Sequence, residues 1–112
     1  MRIYAQQFLK TLHGVIQMAD VKIKCITLSG TNRIHEHITH VGSDQFTPAG
    51  TKWTVEDVIY SIEHRLHTFY VTDSNGKRAD VGVVDPKDGR KKYIRTYADG
   101  YYNNNLLSLP IC

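Results

Sequence analysis

The stretch TVEDVIYSIEHRL, residues 54–66, decides the predicted fold because it combines a helix start with a buried stripe. The Thr54 hydroxyl can accept a hydrogen bond from the backbone amide of Asp57, and Glu56 and Asp57 suit the positive end of a helix dipole. Apolar residues then recur at helical spacing, at Val55, Val58, Ile59, Ile62 and Leu66. The sequence therefore predicts a central helix with one face on a core.

Three strands are predicted downstream of this helix, at residues 68–72, 79–84 and 91–96. Asn75 and Gly76 can supply the positive φ angles of a tight hairpin turn between the first two strands. Asp85-Pro86 with the later Gly89 is typical of a second turn. These three segments predict an antiparallel meander.

Two more strands are predicted upstream of the helix. Residues 21–28 alternate apolar and polar side chains, which is the period of a strand with one buried face. Residues 34–41 give a second strand, which places Ile34, Glu36 and Ile38 on one face and His35, His37, Thr39 and Val41 on the other. The intervening turn at residues 29–32 indicates that these strands form an antiparallel pair.

Residues 1–20 are predicted to form an N-terminal amphipathic helix, although Gly14 weakens the pattern. This helix either packs on the core or serves as a subunit contact. Residues 21–112 then form the ligand-binding domain. The predicted fold class is α+β, a single domain with one curved antiparallel sheet of about five strands, the central helix on one face, and the N-terminal helix.

Length and composition are consistent with one domain of this kind. The 112 residues suffice for one core. The longest apolar runs are far shorter than the roughly 18 residues that a membrane span needs, and residues 1–7 lack the apolar region of a signal peptide. We therefore expect no membrane association and a cytoplasmic location. The only two cysteines, Cys25 and Cys112, are expected to be reduced thiols.

No residue set in the sequence indicates catalysis or a resident cofactor. His35, His37 and His40 suggest zinc, but His40 has the opposite strand parity and no cysteine pair accompanies them. The alternative is an exposed face that these histidines line without binding a metal. Cys25 lacks a nucleophile motif around it, which favours a buried structural role. We expect no catalytic residues, no metal and no cofactor.

Cations and aromatic residues recur together in the second half of the chain. The net charge is +3, and the basic excess concentrates at residues 77–95. Arginines can grip phosphates and aromatic rings can stack on a base, so the pattern favours a nucleotide. The alternative is a solvated hairpin with aromatic residues in the core. Long nucleic acid is not expected, because no nucleic-acid motif is present.

Several segments in order resemble a family of small bacterial and phage domains of unknown function. The matching segments are KCITLSG (24–30), HEHITHV (35–41), TVEDVI (54–59), FYV (69–71), YIRTYADG (93–100) and the tail NNLLSLPIC (104–112). Within or near that family, the chain is similar to the first family of phage Thoeris anti-defence proteins.

This resemblance implies a non-enzymatic sponge that captures a cyclic ADP-ribose isomer, or another cyclic nucleotide signal, in the host cytoplasm. It places Phe69 on the adenine and Arg95 on the pyrophosphate, with Arg78, Thr96 and Asp99 as further ligand contacts. A possible second anion site comprises Ser29, Gly30, Thr31, Asn32, Arg33 and His35. The resemblance also implies a homo-oligomer, either a dimer or a trimer of dimers. The alternative function is a protein-interaction module that inhibits a host protein through its sheet edge or N-terminal helix.

Overall fold

The central helix lies where the sequence predicts it. The computed structural model describes residues 10–12, 15–17, 19–48 and 50–112. Helix α1 spans Val55–Glu63, and the Thr54 hydroxyl accepts a hydrogen bond from the amide of Asp57 at 3.1 Å. The predicted stripe is confirmed at Val55, Val58 and Ile59, which are buried, whereas Leu66 lies beyond the end of the helix.

Strand residues nevertheless far outnumber helical residues in the described chain, so the fold is mostly β and the predicted α+β class is wrong. The strands are β1 (Lys10–Leu12), β2 (Val15–Gln17), β3 (Ala19–Lys22), β4 (Cys25–Leu28), β5 (Ile38–Gly42), β6 (Lys52–Thr54), β7 (His67–Thr72), β8 (Arg78–Val84), β9 (Tyr93–Ala98) and β10 (Tyr101–Asn103). Two short 3-10 helices span His35–His37 and Leu106–Ser108. The expected single sheet of about five strands is replaced by a five-stranded sheet, a three-stranded sheet and the separate β1–β2 pair.

The two larger sheets share one core. The five-stranded sheet has the order β10-β9-β8-β7-β3, antiparallel except that β3 runs parallel to β7. The antiparallel three-stranded sheet has the order β4-β5-β6. Helix α1 contacts strands of both sheets, β5 and β6 on one side and β7, β8 and β9 on the other. The core cluster includes Ile26, Val41, Trp53, Phe69 and Ile94.

The prediction of an N-terminal helix at residues 1–20 is wrong over the residues that the structure describes. Residues 10–12 and 15–17 pair antiparallel, with Lys10 opposite Gln17, and residues 19–22 pair with β7. β-branched residues such as Val15 and Ile16 favour strands, and pairing outweighs the helical spacing in the sequence. Residues 1–9 lie outside the described part of the chain.

The two strands predicted before the helix are both interrupted. Between β3 and β4, the Ile23 amide donates to Tyr70 while the Lys24 amide donates to Gly42, so the chain passes from one sheet to the other. This step shifts the alternation, and Ile26 rather than Cys25 faces the core. Upstream of β5, residues 35–37 form a 3-10 turn in place of strand. The predicted antiparallel pairing of β4 with β5 is confirmed.

The tail closes the fold, and the expectation of reduced thiols is wrong. Leu106 is fully buried, with Leu107 and Leu109 packed against the core. Residues 110–112 lie alongside β4, where Cys112 forms a disulfide with Cys25 across a sequence separation of 87. Sequence spacing gave no sign of this bond because the two cysteines meet only through long-range folding. Among the described residues, no helix is long and apolar enough to cross a membrane.

Candidate functional site

One face of the five-stranded sheet carries most of the predicted cation–aromatic pattern. Opposed residues in adjacent strands share a face, and the register places Arg95 opposite Gly82 and Tyr97 opposite both Asp80 and Tyr102. The intervening residues Ile94 and Thr96 are buried in the core. We call this surface the tyrosine–arginine face, and its members are Tyr70, Arg78, Tyr93, Arg95, Tyr97 and Tyr102.

On this face, Arg78 is paired with two carboxylates. Its Nη1 lies 2.6 Å from the Asp20 carboxylate and its Nε lies 2.8 Å from Asp80, while its guanidinium carbon lies 4.1 Å from the centre of the Tyr70 ring. Burial alone would raise the pKa of Asp20, yet hydrogen bonds from Arg78 and Thr68 outweigh it and lower that pKa. Arg78 therefore helps to join β8 to β3. An anionic ligand would have to compete with these two carboxylates for its guanidinium group.

Arg95 has a different environment. Its guanidinium carbon lies 4.7 Å from the centre of the Tyr102 ring, which is a cation–π contact. Arg95 forms no ion pair with any described residue, and its buried Nε has no hydrogen-bond partner there. The opposite position is Gly82, and the Tyr97 ring lies over the space that a side chain there would occupy. Of the two arginines on this face, Arg95 is thus the one without a carboxylate partner among the described residues.

His35 lies close to Arg95 because its 3-10 turn contacts β9, although the resemblance places the two residues in different sites. The imidazole is only 6% exposed, and its Nε2 has no hydrogen-bond partner among the described residues. Burial lowers the pKa of His35, and the positive charge of Arg95 lowers it further. The structure therefore joins one residue of the predicted second anion site to one of the first.

The rest of the predicted second site is divided by the fold. Arg33 Nη1 donates to the carbonyl oxygens of Leu107 and Leu109, at 2.6 and 3.2 Å, so this guanidinium holds the tail. Gly30 has a φ of 97°, which a glycine adopts readily, and Thr31 and Asn32 are exposed in the same loop. Ser29 instead lines a pocket at the start of helix α1.

That pocket has a volume of about 500 Å³, within the range of small-molecule sites. Its walls come from the 3-10 turn, β5, the start of α1 and the segment before β9. The lining residues are Ser29, Glu36, Ile38, Thr39, His40, Thr54, Val55, Glu56, Arg90, Lys91, Lys92 and Tyr93. Two of its cations are paired, Arg90 with Glu36 and Lys92 with Glu63. Because Tyr93 belongs both to this pocket and to the tyrosine–arginine face, the two features adjoin.

The other predicted ligand residues are dispersed. Phe69 is 1% exposed and meets Trp53 edge-on, with ring centres 6.0 Å apart. Thr96 is fully buried, donates to the Asn103 carbonyl and accepts from the Leu106 amide. Asp99 is exposed and lies 3.6 Å from Lys77. Phe69 and Arg78 do share a cleft, but its volume of about 230 Å³ is small for a nucleotide.

The predicted histidine cluster does not form one face. His35 and His37 lie in the 3-10 turn and His40 lies in β5, where its Nδ1 is 2.9 Å from the Thr39 hydroxyl. Within the described part of the chain, no group of three or more His, Cys, Asp or Glu side chains is placed to hold a metal ion. Sequence reasoning missed the pocket residues Thr39 and Lys91, since only the fold brings β5 beside the segment before β9.

Comparison with known proteins identifies a family, and the function of that family is unknown. No curated protein and no solved structure matches the chain. A family of proteins of unknown function, DUF3892, matches residues 22–110, which includes α1, the tyrosine–arginine face and most of the tail. The chain is therefore a member of the DUF3892 family of proteins of unknown function.

Proposed function

We propose that this protein binds an anionic nucleotide through Arg95 and sequesters it without changing it. The ligand class is a cyclic ADP-ribose-type immune signal, as the resemblance to the Thoeris anti-defence proteins implies. Withholding such a signal in the host cytoplasm inhibits bacterial anti-phage defence. The observation that carries this proposal is the environment of Arg95, which has no carboxylate partner among the described residues and lies against the ring of Tyr102.

The contrast between the two arginines of the face supports Arg95 as the phosphate contact. Arg78 already binds Asp20 and Asp80, so a phosphate would have to compete with two carboxylates. Arg95 has no such competitor among the described residues, and a guanidinium binds phosphate oxygens through paired donors. His35, close by and buried, offers a further polar atom without a described partner.

Exposed tyrosines can provide the base-stacking contact that the resemblance places on Phe69. Phe69 is in the core, whereas Tyr97 and Tyr102 are 38% and 59% exposed on the same face as Arg95. An aromatic ring contributes about 1–3 kcal/mol by stacking on a base. Phosphate on Arg95 and a base on either tyrosine together account for recognition of a nucleotide.

Calorimetric titration with cyclic ADP-ribose isomers tests the proposal. Arg95→Ala should weaken binding at least about tenfold, because a hydrogen bond to a charged group contributes about 1.5–3 kcal/mol. Lys22→Ala is the matched control: it removes the same charge from the same face of the sheet, opposite Tyr70, but on β3, three strands away from β9. Lys22→Ala should bind like the parent protein.

Three results would overturn the proposal. They are failure of every isomer to bind, equal weakening by Lys22→Ala and Arg95→Ala, and recovery of a chemically altered nucleotide after the complex is heated. The last result would indicate an enzyme, since a sponge releases its ligand intact.

An interaction module that inhibits a host protein is the second candidate, and the edge strand β10 favours it. Tyr101 and Tyr102 are 78% and 59% exposed there, and exposed aromatic residues are enriched at protein interfaces. The same edge could serve the homo-oligomer that the resemblance implies. If inhibition of the defence system survived Arg95→Ala and was lost with Tyr101→Ser, this second function would replace the first.

A further inference from the structure

The disulfide between Cys25 and Cys112 fixes only the last residues of the tail. Ile26 donates its amide to the Pro110 carbonyl at 3.0 Å and accepts from the Cys112 amide at 2.9 Å. Ile111 forms a parallel bridge with Ile26. Residues 110–112 thus add a short strand to the edge of β4, and the disulfide holds it there.

The remainder of the tail is held by different contacts. Leu106 is fully buried and its amide donates to Thr96, while Arg33 holds the carbonyls of Leu107 and Leu109. None of these contacts involves the disulfide. Opening the disulfide should therefore free residues 110–112 and leave Leu106 in the core.

Gly42 provides the space in which the two sulfur atoms meet. It lies opposite Cys25 in the β4–β5 pair, and a Cβ atom built there would lie 2.5 Å from the Cys25 sulfur and 2.9 Å from the Cys112 sulfur. Any other residue would displace at least one sulfur. Because Gly42 does not have a positive φ, the backbone would tolerate alanine, and the close approach is what requires glycine.

The disulfide is accessible from solvent. Cys112 is exposed, and both cysteines line a pocket of about 340 Å³ beside β5 and β6. Two lysines and one aspartate also line it. Lys24 is paired with Asp44 at 3.0 Å, whereas Lys52 donates to the Thr27 hydroxyl at 3.4 Å and has no carboxylate partner among the described residues. The charge of Lys52 attracts an anionic thiol and stabilises the thiolate that leaves when the disulfide is attacked.

We propose that this pocket is a thiol–disulfide exchange site for a small anionic peptide thiol of the glutathione type. The thiolate of the peptide attacks the sulfur of Cys112, the more exposed of the two cysteines, and forms a new S–S bond to it. The Cys25–Cys112 bond breaks, and its electron pair leaves on Cys25 as a thiolate. A second peptide thiolate then attacks the mixed disulfide, which yields the oxidised peptide dimer and the Cys112 thiolate. The reductant is the peptide thiol, and the protein gains two electrons.

Exchange with reduced glutathione, followed by mass spectrometry and hydrogen exchange, tests this proposal. A single glutathione adduct should form on Cys112. Amide protection should fall at Ile26 and Cys112 and persist at Leu106. An adduct on Cys25, absence of any reaction, or loss of protection at Leu106 would contradict the local release that we propose.

Two sets of variants separate the lysine effect and the glycine effect. Lys52→Gln should slow reaction with glutathione several-fold and leave reaction with neutral 2-mercaptoethanol unchanged. Lys77→Gln, a distant lysine, should change neither rate. Gly42→Ala should shift the equilibrium toward the dithiol at a fixed glutathione ratio, because its Cβ occupies the space of the sulfurs.

Equal slowing of both thiols by Lys52→Gln, or an unchanged equilibrium in Gly42→Ala, would overturn the proposal. None of these measurements uses a nucleotide. They therefore stand or fall independently of the proposed nucleotide-binding function.

Discussion

At the residue scale, His35 links the stability of the protein to pH. Burial, together with the charge of Arg95, lowers the pKa of His35 below its usual value of about 6.5. Burial also lowers the pKa of His67. The unfolded chain then binds protons more readily than the folded one. The neutral imidazoles contribute fully to the free energy of unfolding above pH 6.5. This contribution is lost as the pH falls through their folded-state pKa values.

His35→Gln should reduce this dependence, since glutamine keeps a neutral polar group and cannot titrate. The free energy of unfolding, from urea denaturation, should fall less between pH 7.5 and pH 5.5 in the variant than in the parent protein. Measurement at pH 7.5, where the parent imidazole is neutral, separates the packing effect of the substitution from the pH effect. If the free energy of unfolding fell equally in the variant and the parent protein between the two pH values, His35 would not contribute to the pH dependence.

The sequence indicates the residue types of the candidate site better than it indicates their positions in the fold. Arginine and tyrosine types indicate a nucleotide ligand, and this stays a prediction; the structure shows that Arg95 has no ion-pair partner among the described residues and contacts Tyr102. Phe69 and Thr96 alternate inward on their strands, and both are buried. The proximity of His35 to Arg95 depends on the 3-10 turn at residues 35–37, which the strand-like alternation of that segment concealed.

At the element scale, the start of helix α1 shows how a local signal specifies structure. Thr54 ends β6 and caps α1, so one residue serves two elements. Its hydroxyl satisfies an amide that would otherwise lack a partner within the helix. Such a signal lies within four residues, which is why the sequence alone predicted it. The N-terminal helix was predicted from spacing without a comparable cap, and the described residues there pair as strands instead.

Thr54→Ala should lower the free energy of unfolding by about 1 kcal/mol, the usual contribution of an N-cap side chain. Thr54→Ser is the matched control, because serine retains the hydroxyl and should stay within a few tenths of a kcal/mol of the parent. Thermal and urea denaturation measure both variants. If serine and alanine destabilised the protein equally, the lost methyl group and not the cap would explain the effect.

At the scale of the whole molecule, the arrangement of the sheets was beyond local pattern. The parallel pairing of β3 with β7 joins residues that are far apart in sequence. At Ile23 and Lys24 the chain passes from one sheet to the other, so one alternating segment is divided between two sheets. Periodicity reports which side chains are buried, not which strands are neighbours. The disulfide was missed for the same reason, since it depends on the tail returning to β4.

The tail should contribute to global stability chiefly through Leu106. This side chain is fully buried in the core that both sheets share, whereas Leu107 is only partly buried. Truncating a buried leucine removes transfer free energy and leaves a cavity, which together cost about 2–5 kcal/mol. In urea denaturation of the oxidised protein, Leu106→Ala should lose free energy of unfolding in that range, and Leu107→Ala clearly less. Equal losses would mean that the tail is anchored along its length, and that release of residues 110–112 by a thiol would then disturb the core as well.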